Sequence, residues 1–192
     1  KNGSRNTAGG DIRFDGSHPL TRAAPGWEST LAWYGAAPDA NSTARCLREP
    51  FPLAAAPEVQ AYVPFSSARK WSAVSFADGG TWVLGAPEMV FGDAASDPAE
   101  EFGRTVTELA SSGRRTLVLA HSVVALTEVD VEAERLPVDV IPAIVLTFRE
   151  QVRPDKIAIL TPQQVAALGP AKVASLADVC VEWGPFSDAE RT

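Results

Sequence analysis

A chain of 192 residues fits one medium domain, or one domain with an appended segment. Hydrophobic residues make up 45% of it, enough for a core, and no apolar run of about 18 residues is present to span a bilayer. The net charge of −7 excludes general binding to nucleic acid or anionic membrane, so a domain of this kind that holds a polyphosphate must gather its few cations locally.

Residues 1–10 are rich in Gly, Asn and Ser, lack the apolar stretch of a signal peptide, and read as a flexible lead or an appended remnant. The alternation in Asp11-Ile12-Arg13-Phe14-Asp15 predicts a short strand. Pro25-Gly26 breaks the chain before an apolar stretch from Trp27 to Tyr34. Asp39 to Thr43 offers several helix caps ahead of Ala44-Arg45-Cys46-Leu47, and prolines at 50, 52 and 57 then enforce a loop. Lys70–Phe76 and Thr81–Leu84 are strand-like runs around Ala77-Asp78-Gly79-Gly80, a hairpin signal because glycine tolerates positive φ. In Gly85-Ala86-Pro87-Glu88 the proline suits a first helical position, and the glutamate suits the positive end of the helix dipole. A longer helix is predicted with Asp97 as cap, Pro98 first and Glu100 closing an Asp-x-x-Glu box. Phe102, Val106, Leu109 and Ala110 form its apolar face, and Ser111-Ser112-Gly113 ends it. Thr116–Val124 and Ala143–Phe148 read as buried strands, with the acidic segment Glu128–Glu134 between them as a surface turn or short helix. Hairpins mixed with capped helices give an α+β domain, an antiparallel twisted sheet flanked by helices. From Lys156 two proline-led stretches, 161–168 and 169–176, predict short helices in a tail (156–192) to which no chemistry is assigned.

Chemistry concentrates in Pro64-Phe65-Ser66-Ser67-Ala68-Arg69-Lys70-Trp71-Ser72. An aromatic ring, two hydroxyls and two adjacent cations ahead of a strand are what a nucleotide asks for: a face for the base and a charge for the phosphates. The alternative is Phe65 as core and Arg69-Lys70 as a solvated strand edge, and residue types alone leave both open. His18 and His121 read as structural. Cys46 and Cys180, far apart and without metal-ligand spacing, read as unbridged thiols of a reducing compartment.

The order of several motifs carries more than any one of them. Pro-Phe-Ser-Ser-x-Arg-Lys-x-Ser (64–72), the hairpin, Gly-Ala-Pro-Glu (85–88), Gly-Arg-Arg-Thr-Leu-Val-Leu-Ala (113–120) and Arg-x-Gln-Val-Arg-Pro-Asp (149–155) together resemble the nucleotide-binding (N) domain of P-type cation-transporting ATPases. The resemblance covers roughly residues 11–155 and looks nearest to the actinobacterial pumps of that family. It implies an ATP site in which Phe65 stacks on adenine, Lys70 lines the same pocket and Arg115 reaches the phosphates. Gly85 and Ala86 would let the backbone approach the nucleotide, and Ser42 falls where many relatives place an acidic residue near the adenine amino group. Leu84 departs from the family, which usually has lysine immediately before Gly-Ala-Pro-Glu. A missing charge-assisted hydrogen bond of about 1.5–3 kcal/mol predicts affinity lowered roughly ten- to a hundredfold.

The family's phosphorylated Asp-Lys-Thr-Gly-Thr motif, its later Mg²⁺-holding motif and its membrane helices have no counterpart in these 192 residues. The resemblance therefore implies a module that follows the phosphorylation site and returns into the next domain. It would bind ATP, accompanied by Mg²⁺ in the whole enzyme, and neither transport nor form the phosphoenzyme. The implied partners are the phosphorylation and actuator domains of the same pump, with a hinge where 11–15 and 148–155 run side by side. The implied setting is a cytoplasmic domain of an integral plasma-membrane protein, monomeric as a piece and moving calcium or another cation as a whole. The competing reading is a non-enzymatic α+β ligand- or protein-interaction module that shares only local patterns. A self-standing hydrolase is disfavoured because no nucleophile with a base partner stands out.

Overall fold

Six β-rich runs assemble into one sheet because each alternates its side chains between two faces, and both faces find cover. The structure, a computed structural model, describes residues 11–77 and 79–151. Its strands are β1 (Asp11–Pro19), β2 (Val59–Val63), β3 (Trp71–Phe76), β4 (Gly80–Gly85), β5 (Arg115–Ser122) and β6 (Ile141–Gln151). They lie in the order β1-β6-β5-β4-β3-β2, with β2 through β6 paired antiparallel. By compactness the chain divides into Phe14–Arg149 and a second unit, Lys1–Arg13 with Glu150–Thr192; the first is the one described below. The lead of 1–10, the tail of 156–192 with its two predicted helices, and Cys180 lie outside the described residues.

The predicted hairpin is β3–β4, in register from Trp71↔Gly85 to Phe76↔Gly80. Gly80 has φ 68, and a Cβ there would meet the Ser122 carbonyl at 2.3 Å, so the turn requires glycine twice over. Helices α1 (Trp27–Ala36) and α2 (Ser42–Arg45) follow Gly26 and Asn41, whose Oδ1 accepts from the Ala44 N–H at 2.9 Å. Helix α1 covers one face of the sheet, where the Tyr34 hydroxyl donates to the carbonyls of Trp82 (3.0 Å) and Ser72 (3.3 Å). The opposite face packs under α3 (Pro87–Phe91) and α4 (Glu101–Ser111), with α5 (Glu128–Glu132) beside β2. Trp71, Ala73, Val83, Val118, Ala120 and Val145 supply that core, with Phe102 and Val106 of α4 pressed onto it. Each fully buried aliphatic side chain contributes about 1.5–3 kcal/mol, so two-sided burial of the central strands dominates the fold's stability.

Local details differ from the sequence reading. Strand β1 extends to Pro19, β2 had not been predicted, and Lys70 stands outside β3 with φ 57. Helix α4 starts after Glu100 with no side-chain cap; Asp97 instead accepts from the Ala99 N–H at 2.8 Å. A side chain satisfied in its own turn is no longer available to cap the next one, so the predicted Asp-x-x-Glu box does not form. The box that does form is Thr127–Asp130, at the start of α5. Ala110 is exposed rather than part of the apolar face. His18 meets the Thr147 hydroxyl at 3.3 Å, and His121 meets the Gly79 carbonyl at 2.7 Å, both as structural contacts.

Candidate functional site

Helix α1 ends at Ala36, and the sheet has one end where β3 starts, β4 ends and β5 starts. There the structure leaves a cavity of about 420 Å³. Ser72, Leu84 and Leu117 form its floor on the sheet, and the segment from Ala37 to Ala44 supplies one wall. Phe65 and Lys70 enter from the loop before β3, Gly85, Ala86 and Glu88 from the turn after β4, and Arg115 from the first position of β5. Six of the predicted site residues, Phe65, Lys70, Leu84, Gly85, Ala86 and Arg115, therefore come together around one space. Ser42 does not: it is exposed, and its neighbours Asn41 and Thr43 line the cavity in its place. Successive helical residues point about 100° apart, so a neighbour of a lining residue easily points away.

The loop that carries Phe65 and Lys70 is closed on itself. The Lys70 N–H donates to the Ser66 carbonyl at 2.7 Å, and the Ser66 hydroxyl accepts from Ala68 and Arg69 N–H. Phe65 is 39% exposed and so is not spent in the core. The Lys70 carbonyl in turn accepts from the Ala86 N–H at 3.0 Å, which ties this loop to the turn after β4. The sheet itself also constrains Gly85. A Cβ there would lie 2.4 Å from Cβ of Trp71, its cross-strand partner, so β3 itself demands the glycine.

Charge in the cavity is balanced. Lys70 and Arg115 line it together with Asp39 and Glu88, and Leu84 adds no third cation. The Tyr62 hydroxyl donates to Oδ2 of Asp39 at 2.7 Å; burial, then the hydrogen bond and charge of Asp39, push its phenol well up, so it remains a donor. Burial first, and then Tyr62, push Tyr34 up in the same way. Of the adjacent Arg114 and Arg115 only the second lines the cavity. Arg114 is held by Asp15 (Nε to Oδ2, 2.6 Å), whose other oxygen takes Arg149 (Nε to Oδ1, 2.6 Å). Asp39, Tyr62 and Glu88 are among the lining residues that sequence reasoning left outside the site. Asp39 and Glu88 had looked like helix-capping residues, and nothing local marks Tyr62. Among the described residues no group of three or more His, Cys, Asp or Glu is placed to hold a metal ion.

No family profile matches the chain. The fold does have solved counterparts. Two crystal structures of zinc-transporting PIB-type ATPases, in different states of the pump, superpose with TM-scores of 0.52 and 0.50. Each is 16% identical and covers 88% of this chain and 25% of its own. The described residues thus have the α+β fold of a domain present in P-type ATPases. In sequence, the calcium-transporting ATPase CtpE of Mycobacterium tuberculosis is 37% identical over 115 residues, 60% of this chain and 13% of that protein. CtpE of Mycolicibacterium smegmatis is 38% identical over 95 residues (50% and 11%), and the probable cation-transporting ATPase exp7 of Streptococcus pneumoniae is 38% identical over 84 (44% and 10%). Fold and sequence together place this chain among the relatives of CtpE-type P-type cation-transporting ATPases. It spans about an eighth of the length of the CtpE proteins it matches.

Proposed function

We propose that the chain is the ATP-binding domain of a P-type cation-transporting ATPase and presents the γ-phosphate to a phosphorylatable aspartate outside this segment. The observation that carries the reading is the convergence of Phe65, Lys70, Leu84, Gly85, Ala86 and Arg115, from separate stretches of sequence, on one cavity of about 420 Å³. That volume lies in the range of small-molecule sites, about 300–1,000 Å³. Phe65 takes the adenine face, a contact of about 1–3 kcal/mol. Leu84 and Leu117 form the apolar floor under the base. Asp39, with Oδ2 already engaged by Tyr62, offers Oδ1 to the exocyclic amino group. Lys70 and Arg115 take the phosphates, and Mg²⁺ travels with the nucleotide rather than on a carboxylate cluster of this domain. In the whole pump the domain works with the phosphorylation and actuator domains on the cytoplasmic side of a membrane, and the cation moved is calcium, as in the CtpE relatives' names. No helix among the described residues is long and apolar enough to cross a membrane.

Calorimetric titration of ATP into the whole chain tests the site. A micromolar-to-millimolar Kd is expected, with Phe65→Ala and Lys70→Ala each weakening it about tenfold or more, the worth of one stacked ring or one charged contact. Titration curves unchanged in both variants would remove these residues from the site.

A further inference from the structure

Arg69 lies between Phe65 and Lys70 on the loop, yet it does not line the cavity. Its guanidinium reaches three ways. Nη2 donates to the Pro64 carbonyl at 2.6 Å and so bridges the two ends of the loop. Cζ sits 4.9 Å from the centroid of the Trp71 ring. Nη1 lies 2.8 Å from Oε2 of Glu134, just beyond α5. Nε and Nη1 are buried without a hydrogen-bond partner, so Nη1 meets Glu134 as a charge and not as an aligned donor. A guanidinium drawn out of water to this extent is compensated by the carboxylate and the ring face.

Glu134 occupies a costly position. Its φ is 50, a left-handed conformation that glycine takes freely and that costs other residues about 1–2 kcal/mol. Among the described residues three non-glycine side chains have positive φ: Lys70, Glu134 and Asp139. Asp tolerates that region through local hydrogen bonding. Glu134 takes it at the end of α5, where its N–H donates to the Val131 carbonyl (3.2 Å) and the Arg135 N–H to the Asp130 carbonyl (2.9 Å), and Lys70 takes it where its N–H closes the turn onto the Ser66 carbonyl (2.7 Å). The Arg69–Glu134 pair therefore joins a closed helix end to a closed loop.

We propose that Arg69 and Glu134 are positioning residues that lock the 64–70 loop with Phe65 and Lys70 already facing the cavity. The proposal rests on the nucleotide reading of that cavity. Its consequence is a ligand pattern. Phe65 and Lys70 ride on the same loop, so loosening it weakens adenosine as well as ATP, whereas Arg115 on β5 matters to the phosphates alone. Preorganisation of this kind raises affinity by removing the ordering cost from the binding step.

The test uses the full chain with Glu134→Gln, which keeps the side chain's size at a position 58% exposed. Adenosine and ATP should both weaken about three- to fivefold, the scale of a partly exposed ion pair. Arg115→Ala should weaken ATP and leave adenosine unchanged. In the ligand-free protein, hydrogen exchange of the Lys70 amide, bonded to Ser66, should quicken in Glu134→Gln, a readout that needs no ligand. Rising salt should weaken adenosine binding more in the unaltered chain than in Glu134→Gln, because the difference between the two isolates the Arg69–Glu134 pair from the cavity's own charges. If Glu134→Gln fails to fold, Arg69→Lys, which keeps the charge and loses the planar fork, takes its place in the same measurements. Unchanged adenosine affinity, Lys70 exchange and salt response, in a protein that does bind ATP, would overturn the positioning role alone. A chain that binds neither ligand would overturn the site reading, and this proposal with it.

Discussion

Leu84 gives the cavity a methyl surface where the family resemblance implies a lysine, and it is 5% exposed. With two cations against two carboxylates, a triphosphate finds little net attraction there. Leu84→Lys is therefore expected to tighten ATP about tenfold or more, if one charge-assisted contact is worth about 1.5–3 kcal/mol, and calorimetry should show no comparable gain for adenosine. Gly85→Ala should instead destabilise the fold by about 1–3 kcal/mol through overpacking against Trp71, read as a lowered urea midpoint. The chain's two tyrosines, Tyr34 and Tyr62, are both pushed above the ordinary value of 10.0, so their neutral forms are favoured in the folded state. Their contribution to stability is complete below pH of about 10 and is lost as pH rises through the raised values. Ultraviolet titration should accordingly show no tyrosinate step at pH 10 in the folded protein, and one appearing there would place a phenol in open water. At this scale the types and order of Phe65, Lys70 and Arg115 made them candidates, and the fold brings the three to one cavity. The sequence was silent about Tyr62 and Asp39, because their meeting depends on a strand and a loop 23 positions apart.

Among the elements, the hairpin, α3 and the buried strands β5 and β6 were legible because each carries its own signal: glycine in a turn, proline at a helix start, unbroken apolar runs. Strand β2 was not, since Val59–Val63 is half exposed at the sheet's edge and interrupted by Gln60. The start of α4 was misread because Asp97 has the right spacing to cap it but spends its oxygen on Ala99. Spacing identifies candidates, and competition among neighbouring N–H groups chooses between them. The Asp15 contacts are also invisible in sequence, linking β1 to Arg114 and Arg149 far along the chain. Asp15→Asn should cost about 1–2 kcal/mol, the range of a partly buried charged pair, with the loss shrinking as salt rises in denaturant melts.

For the whole molecule, the nucleotide reading makes this a module that holds ATP for chemistry performed elsewhere. The hinge that the resemblance implies, in 11–15 and 148–155, belongs to that same reading. A hinged body of this kind brings a bound phosphate to a distant acceptor without changing its own fold. The family's outline was readable from motif order alone, while the cavity's balance of charge and the Arg69–Glu134 ion pair required the folded chain. The most direct measurement is an ATP titration followed by backbone amide shifts of the full chain. Saturable shifts clustered at residues 65–70, 84–86 and 115–117 are predicted. Shifts absent there, or spread over the α4 face instead, would contradict a nucleotide site at the end of the sheet.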